Sequence, residues 1–264
     1  MEKGDVYMNI AERAANLKGH IGVYYKNLAT GETACYNEDH EFIPASVIKL
    51  PIVMAIYKMA ADGRADLYEK LKVTYECRVP SCGAFNSFTD EPMVDIKTLC
   101  SLAIVISDNT ASNMLTSHFG IETLNREFKE MGLRRTHVER LFYDDEMQEK
   151  GYNNKAVPCE IGELLEQIHN RTFVSKEISQ EIWEILLEQQ HHDKIAAYIE
   201  DFAPIGNKTG GARGITCDVA LIEGEHPFIL SVMANEADVP VTDDFIRHLG
   251  RDIFKEIKDG NRIY

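Results

Sequence analysis

Strand patterns stand at both ends of this 264-residue chain, and helical patterns fill its middle. Residues 4–18 read as a helix with Val6, Ile10, Ala14 and Leu17 on one face. Two strand-like runs follow, His20–Asn27 and Thr33–Tyr36, joined by the turn-forming Leu28-Ala29-Thr30-Gly31. The apolar spacing then becomes helical over 46–60, 95–106, 109–119, 121–131, 158–169, 178–189 and 191–199. Strand patterns return at Ala203–Lys208, Ile215–Glu223 and Pro227–Asn235. A last helix is expected over 241–257, where Val241, Phe245, Leu249, Ile253 and Ile257 recur every fourth residue.

Strands so far apart in sequence can bury their faces only by pairing with one another. The expectation is therefore an α+β fold: one antiparallel sheet from the chain termini, flanked by helices, plus a central all-helical lobe. Residues 1–264 would form a single domain, with an α/β lobe at about 1–45 and 201–264 and a helical lobe at about 46–200. A small-molecule site is expected in the cleft between the lobes.

The formal net charge is −15. Such a surface repels phosphate backbones and anionic lipid, which argues against nucleic acid and membrane as partners. An anionic substrate would need a local cationic pocket. The opening MEKGDVYMNIAERAANL has no apolar run of secretory length, and no segment approaches the roughly 20 apolar residues that span a bilayer. As the sequence reads, the protein is expected to be cytoplasmic, or extracytoplasmic if a leader has been removed. Cys35, Cys77, Cys82, Cys100, Cys159 and Cys217 contain no C-x-x-C pair and are expected to be reduced thiols.

Three short motifs carry chemistry. Ser46-Val47-Ile48-Lys49 opens an apolar helix, where residues three apart share a face and Lys49 can reach the Ser46 hydroxyl. A serine hydroxyl is a weak nucleophile until a base takes its proton, and lysine is such a base only when burial or neighbouring charge lowers its pKa. About one S-x-x-K arises by chance in a chain this long, so the motif alone also fits an N-capping serine beside an exposed lysine. Ser107-Asp108-Asn109 lies between two helical patterns and reads equally as a helix cap. Lys208-Thr209-Gly210-Gly211 lies on the strand-like Ile205–Gly211 region. There Lys208 offers a cation and Thr209 a hydroxyl suited to a carboxylate, and the two glycines let a substrate backbone approach closely.

Taken in order, S-x-x-K, S-D-N and K-T-G form the signature set of penicillin-binding proteins and class A β-lactamases. Their placement at residues 46, 107 and 208 is close to the class A pattern. Asp108-Asn109-Thr110-Ala111-Ser112-Asn113-Met114-Leu115 resembles the helix after S-D-N in those enzymes, and Leu133 to Pro158 sits where their Ω-loop lies. Gly31-Glu32-Thr33 and Gly214-Ile215 also fit, so the resemblance covers nearly the whole chain.

The resemblance implies a serine hydrolase, a class A β-lactamase-like enzyme acting on a small-molecule substrate, a β-lactam or an acyl-peptide. Ser46 would attack the carbonyl, Lys49 would serve as base for acylation, and Ser107 would relay a proton to the leaving nitrogen. Backbone N–H groups of Ser46 and Gly211 would form the oxyanion hole. Asn109 would bind the substrate's side-chain amide, while Lys208 and Thr209 would hold its carboxylate. No metal and no cofactor is required. β-Lactam catabolism and antibiotic resistance are the biological settings so implied.

One part of the family pattern is missing. Class A enzymes hydrolyse the acyl-enzyme with water activated by an Ω-loop glutamate two residues after an arginine. Here the arginine is Arg140 and the residue two beyond it is Phe142, which accepts no proton. An aspartate that pairs with the arginine appears as Asn154. Glu139, Asp144 and Asp145 are the nearby carboxylates. Acylation is thus expected with slow turnover, and two alternatives stand: a penicillin-binding, D-alanyl peptidase-like or esterase-like acyl-enzyme, and a non-catalytic ligand-binding module. His191-His192-Asp193 reads as a surface helix start rather than a metal site, Trp183 as core, and Phe85 and Phe88 as packing beside the cleft.

Overall fold

The computed structural model describes residues 5–259. The elements run α1 Asp5–Ala15, β1 His20–Asn27, β2 Thr33–Tyr36, α2 Lys49–Ala61, β3 Lys70–Lys72, β4 Met93–Asp95, α3 Ile96–Val105, α4 Asn109–Phe119, α5 Ile121–Glu130 and α6 Asp145–Glu149. They continue as α7 Pro158–His169, α8 Lys176–Leu187, β5 Ile205–Ala212, β6 Ile215–Ile222, β7 Phe228–Asn235 and α9 Val239–Lys258. The first residue of the helix expected at 4–18 lies outside the described residues.

As the terminal patterns require, the strands form one antiparallel sheet in the order β2-β1-β7-β6-β5. Each of β1, β6 and β7 is buried along nearly its whole length, because helices cover both faces and neither side needs polar residues. Alternation survives in which core each residue joins. Val23, Tyr25, Leu230 and Val232 pack with Ile10 of α1 and with Phe245, Leu249 and Ile253 of α9. Tyr24, Ile229 and Met233 face the opposite way, into a core shared with α2, α7 and α8.

Helix α2 threads that second core. Every residue from Lys49 to Tyr57 is buried, so this stretch of the helix is apolar all round except for its first residue. A lysine thus stands at the end of a buried helix that adjoins the Ser46 turn. The central region also holds a short antiparallel pair, β3–β4, which its helical reading did not include.

Two helices differ from expectation. Residues 191–194 are irregular, and only Ile195–Tyr198 forms a 3₁₀ turn in place of the helix expected over 191–199. Tertiary bonds claim the groups that such a helix would use: Asp218 Oδ2 accepts from Ile195 N at 2.9 Å, and His191 O accepts from Asn207 Nδ2 at 3.1 Å. In α9 the residue Val241 is 54% exposed, although it starts the every-fourth-residue series. Steps of four drift about 40° around a helix, so a five-member series leaves the buried stripe. The stripe is instead Thr242, Phe245, Ile246, Leu249, Gly250, Ile253 and Phe254, spaced by three and four. No helix among the described residues is long and apolar enough to cross a membrane.

Candidate active site

Ser46 lies in a 3₁₀ turn, Ala45–Ile48, that runs directly into α2. The preceding Ala45 has φ +46°, left-handed backbone that an alanine adopts only under strain. This turn is pressed against strand β5. A Cβ on Gly210 would stand 2.4 Å from Pro44 O and 3.0 Å from Ser46 N, so only glycine lets the strand lie there. The close approach at Gly210 is therefore to the chain's own turn. Gly211 is different: its nearest neighbour to such a Cβ is Ile215 O at 4.0 Å, and it borders open space.

Beneath the turn, three residues from three motifs are joined. Lys49 Nζ is 2.6 Å from Ser107 O, 2.8 Å from Asn109 Oδ1 and 3.2 Å from Ser107 Oγ. Lys208 Nζ donates to the same Ser107 Oγ at 3.1 Å and to Thr209 O at 2.7 Å. Ser107 has φ +57°, a second strained backbone position. It is held by Asp108, which caps α4 through Ala111 N at 2.9 Å and accepts from Ala84 N at 2.7 Å. The cap reading and the motif reading of Ser107-Asp108-Asn109 thus describe the same three residues. Ser107, Asn109 and Thr209 are buried, and Lys49 and Lys208 are fully so.

Above this layer is a cavity of about 360 Å³ whose wall includes Ser46, Asn109, Gly211, Arg140, Phe142 and Arg213. Ser46 is half-buried and its hydroxyl makes no hydrogen bond to the described residues. The expected contact from Lys49 to Ser46 is not formed in this structure; the amine is turned to Ser107 and Asn109.

Burial shifts the titration of three groups here. The Lys49 ammonium is held well below its ordinary pKa by desolvation, and then by the nearby charge of Lys208. Lys208 is pushed down to about 7, again chiefly by desolvation, with the buried carboxyl of Asp218 opposing the shift. Asp218 itself is raised to about 6 by burial, against the pull of Lys194. A neutral Lys49 would have two N–H groups for the two carbonyl-type oxygens and one lone pair for the Ser107 hydroxyl at 3.2 Å.

The loop over residues 133–157 closes the cavity. Phe142 is clamped by Asn113, which accepts from Phe142 N and donates to Phe142 O, both at 2.8 Å. Its ring centroid lies 4.6 Å from Lys49 Nζ. Arg140 reaches Asn153 Oδ1 through Nε at 3.3 Å and Nη2 at 3.2 Å, whereas Asn154 Oδ1 accepts the main-chain N–H groups of Glu139 and Arg140. Its asparagine partner is thus Asn153, and among the described residues no carboxylate forms an ion pair with it. Glu139 accepts from Asn153 N, and Asp144 caps α6. Asp145 is the one carboxylate in the wall of the cavity among the described residues. Trp183 is core, as expected, and Phe85 packs on Phe88 at 5.6 Å away from the cavity wall.

Three contributors were not singled out from the sequence. Asn113 carried a signal, since it follows Asn109 by one helical turn on the same face. Arg213 shows only as a turn residue. Lys194 gave no signal at all: it reaches Gly210 O at 2.9 Å and Cys217 O at 3.2 Å from a segment far away in sequence.

Known proteins share this fold. A β-lactamase of Rhodobacter capsulatus is 24% identical over 95% of this chain and 87% of its own length. The structure of a leucine-to-glutamate mutant of PBP-A, an acyl-enzyme complex with penicillin G, superposes with a TM-score of 0.87 at 23% identity, over 97% of both chains. An ancestral class A β-lactamase gives a TM-score of 0.84 at 22% identity, over 95% of this chain and 99% of that one. The fold is that of the class A β-lactamases and PBP-A. The family model described as the β-lactamase enzyme family matches residues 5–257, nearly the whole length, and to that family the chain belongs.

Proposed function

We propose that this protein is an active-serine hydrolase acylated at Ser46 by β-lactam-type amides, and that it releases the acyl group slowly. The observation that carries the reading is the Lys49–Ser107–Lys208 chain lying directly under a cavity bordered by Ser46 and Gly211. Lys49, kept neutral by burial, takes the Ser46 proton as the oxygen attacks the carbonyl. The N–H groups of Ser46 and Gly211 stabilise the oxyanion. When the carbon–nitrogen bond breaks, the proton passes from Lys49 through the Ser107 hydroxyl to the departing nitrogen. Lys208 holds charge near Ser107 and, with Thr209, receives the substrate's carboxylate; Asn109 orients its amide.

Slow release follows from Phe142. Its ring lies above Lys49, and on the resemblance it stands where a carboxylate base would activate water; an aromatic ring takes no proton. This same observation favours a second reading, a penicillin-binding or D-alanyl peptidase-like acyl-enzyme with poor lactam turnover. The leucine-to-glutamate mutant of PBP-A forms an acyl-enzyme with penicillin G, which makes that compound the natural probe.

The test is intact-mass analysis after mixing with penicillin G, alongside turnover of a chromogenic cephalosporin. A covalent adduct that is lost in Ser46→Ala is expected, with turnover limited by its decay. Rapid turnover without accumulation would point to an efficient lactamase, and no adduct at all would reject the acylation reading in favour of a binding module.

A further inference from the structure

Two cations in the wall of the Ser46 cavity have no carboxylate partner among the described residues. Arg213 is exposed in the turn between β5 and β6, and its guanidinium makes no hydrogen bond or ion pair to the described residues. Arg140 comes from the loop over residues 133–157. Three of its five N–H groups reach neutral acceptors, Asn153 Oδ1 through Nε and Nη2, and Leu141 O through Nη1 at 3.1 Å. Two N–H groups and the whole charge are left over. Burial lowers the Arg140 pKa from the ordinary arginine value, and Asp144 and Asp145 oppose that shift without forming an ion pair. Arginine keeps its charge even so, and an unpaired, partly desolvated guanidinium matches a carboxylate in charge and in its forked geometry.

The position of Arg213 decides which part of a substrate it meets. β5 lies at the edge of the sheet and pairs only with β6. On that stretch of chain Gly211, the oxyanion donor proposed above, stands between Thr209 and Arg213. A strand advances about 3.3 Å per residue, so the Arg213 backbone lies up to roughly 7 Å beyond Gly211, away from Lys208 and Thr209. A carbonyl at Gly211 N–H, with its leaving-side carboxylate at Lys208 and Thr209, therefore directs its acyl side towards Arg213. Arg140 shares the cavity wall with Gln148, Asn153 and Asn154, which are neutral donors. Asp145 is the one carboxylate there, so two cations stand against one anion.

We propose that Arg140 and Arg213 form a subsite for a second carboxylate, carried on the acyl part of the substrate. This rests on the acylation of Ser46 proposed above, and narrows the substrate class to amides anionic on both sides of the scissile bond. Against the −15 charge of the chain, such a dianion meets cations at both ends of the cavity. The second carboxylate lies away from the reacting atoms, so its bonds are alike in the ground state and the transition state. Their effect falls on binding and not on the limiting acylation rate.

Penicillin G, carbenicillin and ampicillin isolate this charge, because they differ only at the carbon beside the side-chain amide carbonyl. That carbon carries hydrogen in penicillin G, a carboxylate in carbenicillin and an ammonium in ampicillin. The measurement is the rate of Ser46 acylation against concentration, followed by intact mass. Carbenicillin is expected to half-saturate at about tenfold lower concentration than penicillin G, the worth of one charge-assisted hydrogen bond. Ampicillin is expected to need the highest concentration, and the limiting rates should be similar. In Arg213→Gln and Arg140→Gln the advantage of carbenicillin over penicillin G should shrink. Arg213→Lys keeps the cation and should keep the advantage, whereas Arg213→Glu should place ampicillin ahead of carbenicillin. Each ratio is read within one protein, so a general loss of acylation in a variant cancels. If Arg140→Gln does not fold, the exposed Arg213 series decides. An advantage that survives undiminished in the glutamine variants would overturn the proposal. A wild-type preference for ampicillin would overturn it too, and would make Asp145 the deciding group of the wall. Wild type acylated equally by all three compounds rejects the subsite alone. No adduct with any of them removes the acylation reading and the subsite together.

Discussion

Phe142 roofs Lys49: the ring centroid lies 4.6 Å from the amine that bridges Ser107 and Asn109. The contact comes from a loop and a helix far apart in sequence, and Asn113 holds the loop's side of it through both main-chain groups of Phe142.

On the acylation proposed above, replacing Phe142 by glutamate adds a carboxylate above Lys49, in the wall of the cavity that Ser46 borders. General-base assistance contributes about 10²–10⁴ in rate, and a transplanted base captures a part of it, so the adduct is expected to decay about ten- to a hundredfold faster. The measurement is the lifetime of the penicillin G adduct by intact mass in wild type and Phe142→Glu. An unchanged lifetime would show that the ring is not what limits release.

Acylation is expected to pass through a maximum with pH. The proposed chemistry requires Lys49 neutral and Lys208 charged. Activity should therefore rise as Lys49 loses its proton, at a pH well below the ordinary lysine range, and fall as Lys208 titrates near pH 7. Lys208→Arg keeps the charge at all these pH values, so the alkaline limb should move upward or vanish. A pH profile of acylation efficiency identical in the two proteins would count against the cationic role of Lys208.

The same lysine links function to stability. Folding lowers the Lys208 pKa from 10.5 to about 7, so between those values the unfolded chain binds more protons than the folded one. The sign is then fixed: the burden of burying the charge is complete below pH 7 and is relieved as pH rises towards 10. Lys208→Met should abolish that rise and stabilise the protein at about pH 6, each kcal/mol regained raising Tm by about 2–4 °C in a chain of this size. Thermal melts of both proteins from about pH 6 to about pH 10 make the comparison, and parallel curves would contradict the shift.

Gly210 and Gly211 should differ sharply when each is changed to alanine. The Gly210 methyl would collide with Pro44 O and crowd Ser46 N, forcing β5 off the nucleophile turn. Overpacking of this kind costs about 1–3 kcal/mol, and acylation is expected to fall with it. The Gly211 methyl meets nothing closer than 4.0 Å, so that variant should keep wild-type stability. Equal losses in denaturant titrations would show that the turn and the strand adjust to one another.

Much of the fold was legible in the linear chain. The strand patterns at both ends could be satisfied only by a common sheet, and the resemblance carried by the three ordered motifs named Lys49, Ser107, Asn109 and Lys208, which the structure joins. Local pattern failed where remote groups compete for the backbone. Residues 191–199 have helical spacing, yet Asp218 and Asn207 bond to that segment and hold it irregular. Val241 failed for a different reason, because a four-residue period is not the period of a helix.

Residue type, order and periodicity were enough for the family resemblance, the fold class and the candidate side chains of the site, since all of these are properties of the unfolded string. Four relationships needed the packed chain: Lys49 turns to Ser107 and Asn109, Phe142 lies over it, Gly210 is small for the sake of the Ser46 turn, and Lys194 reaches the Gly210 carbonyl. Each of these is a distance between residues remote in sequence. Such distances are set by how sheet and helices pack, and the pKa shifts of the buried lysines arise from the same packing.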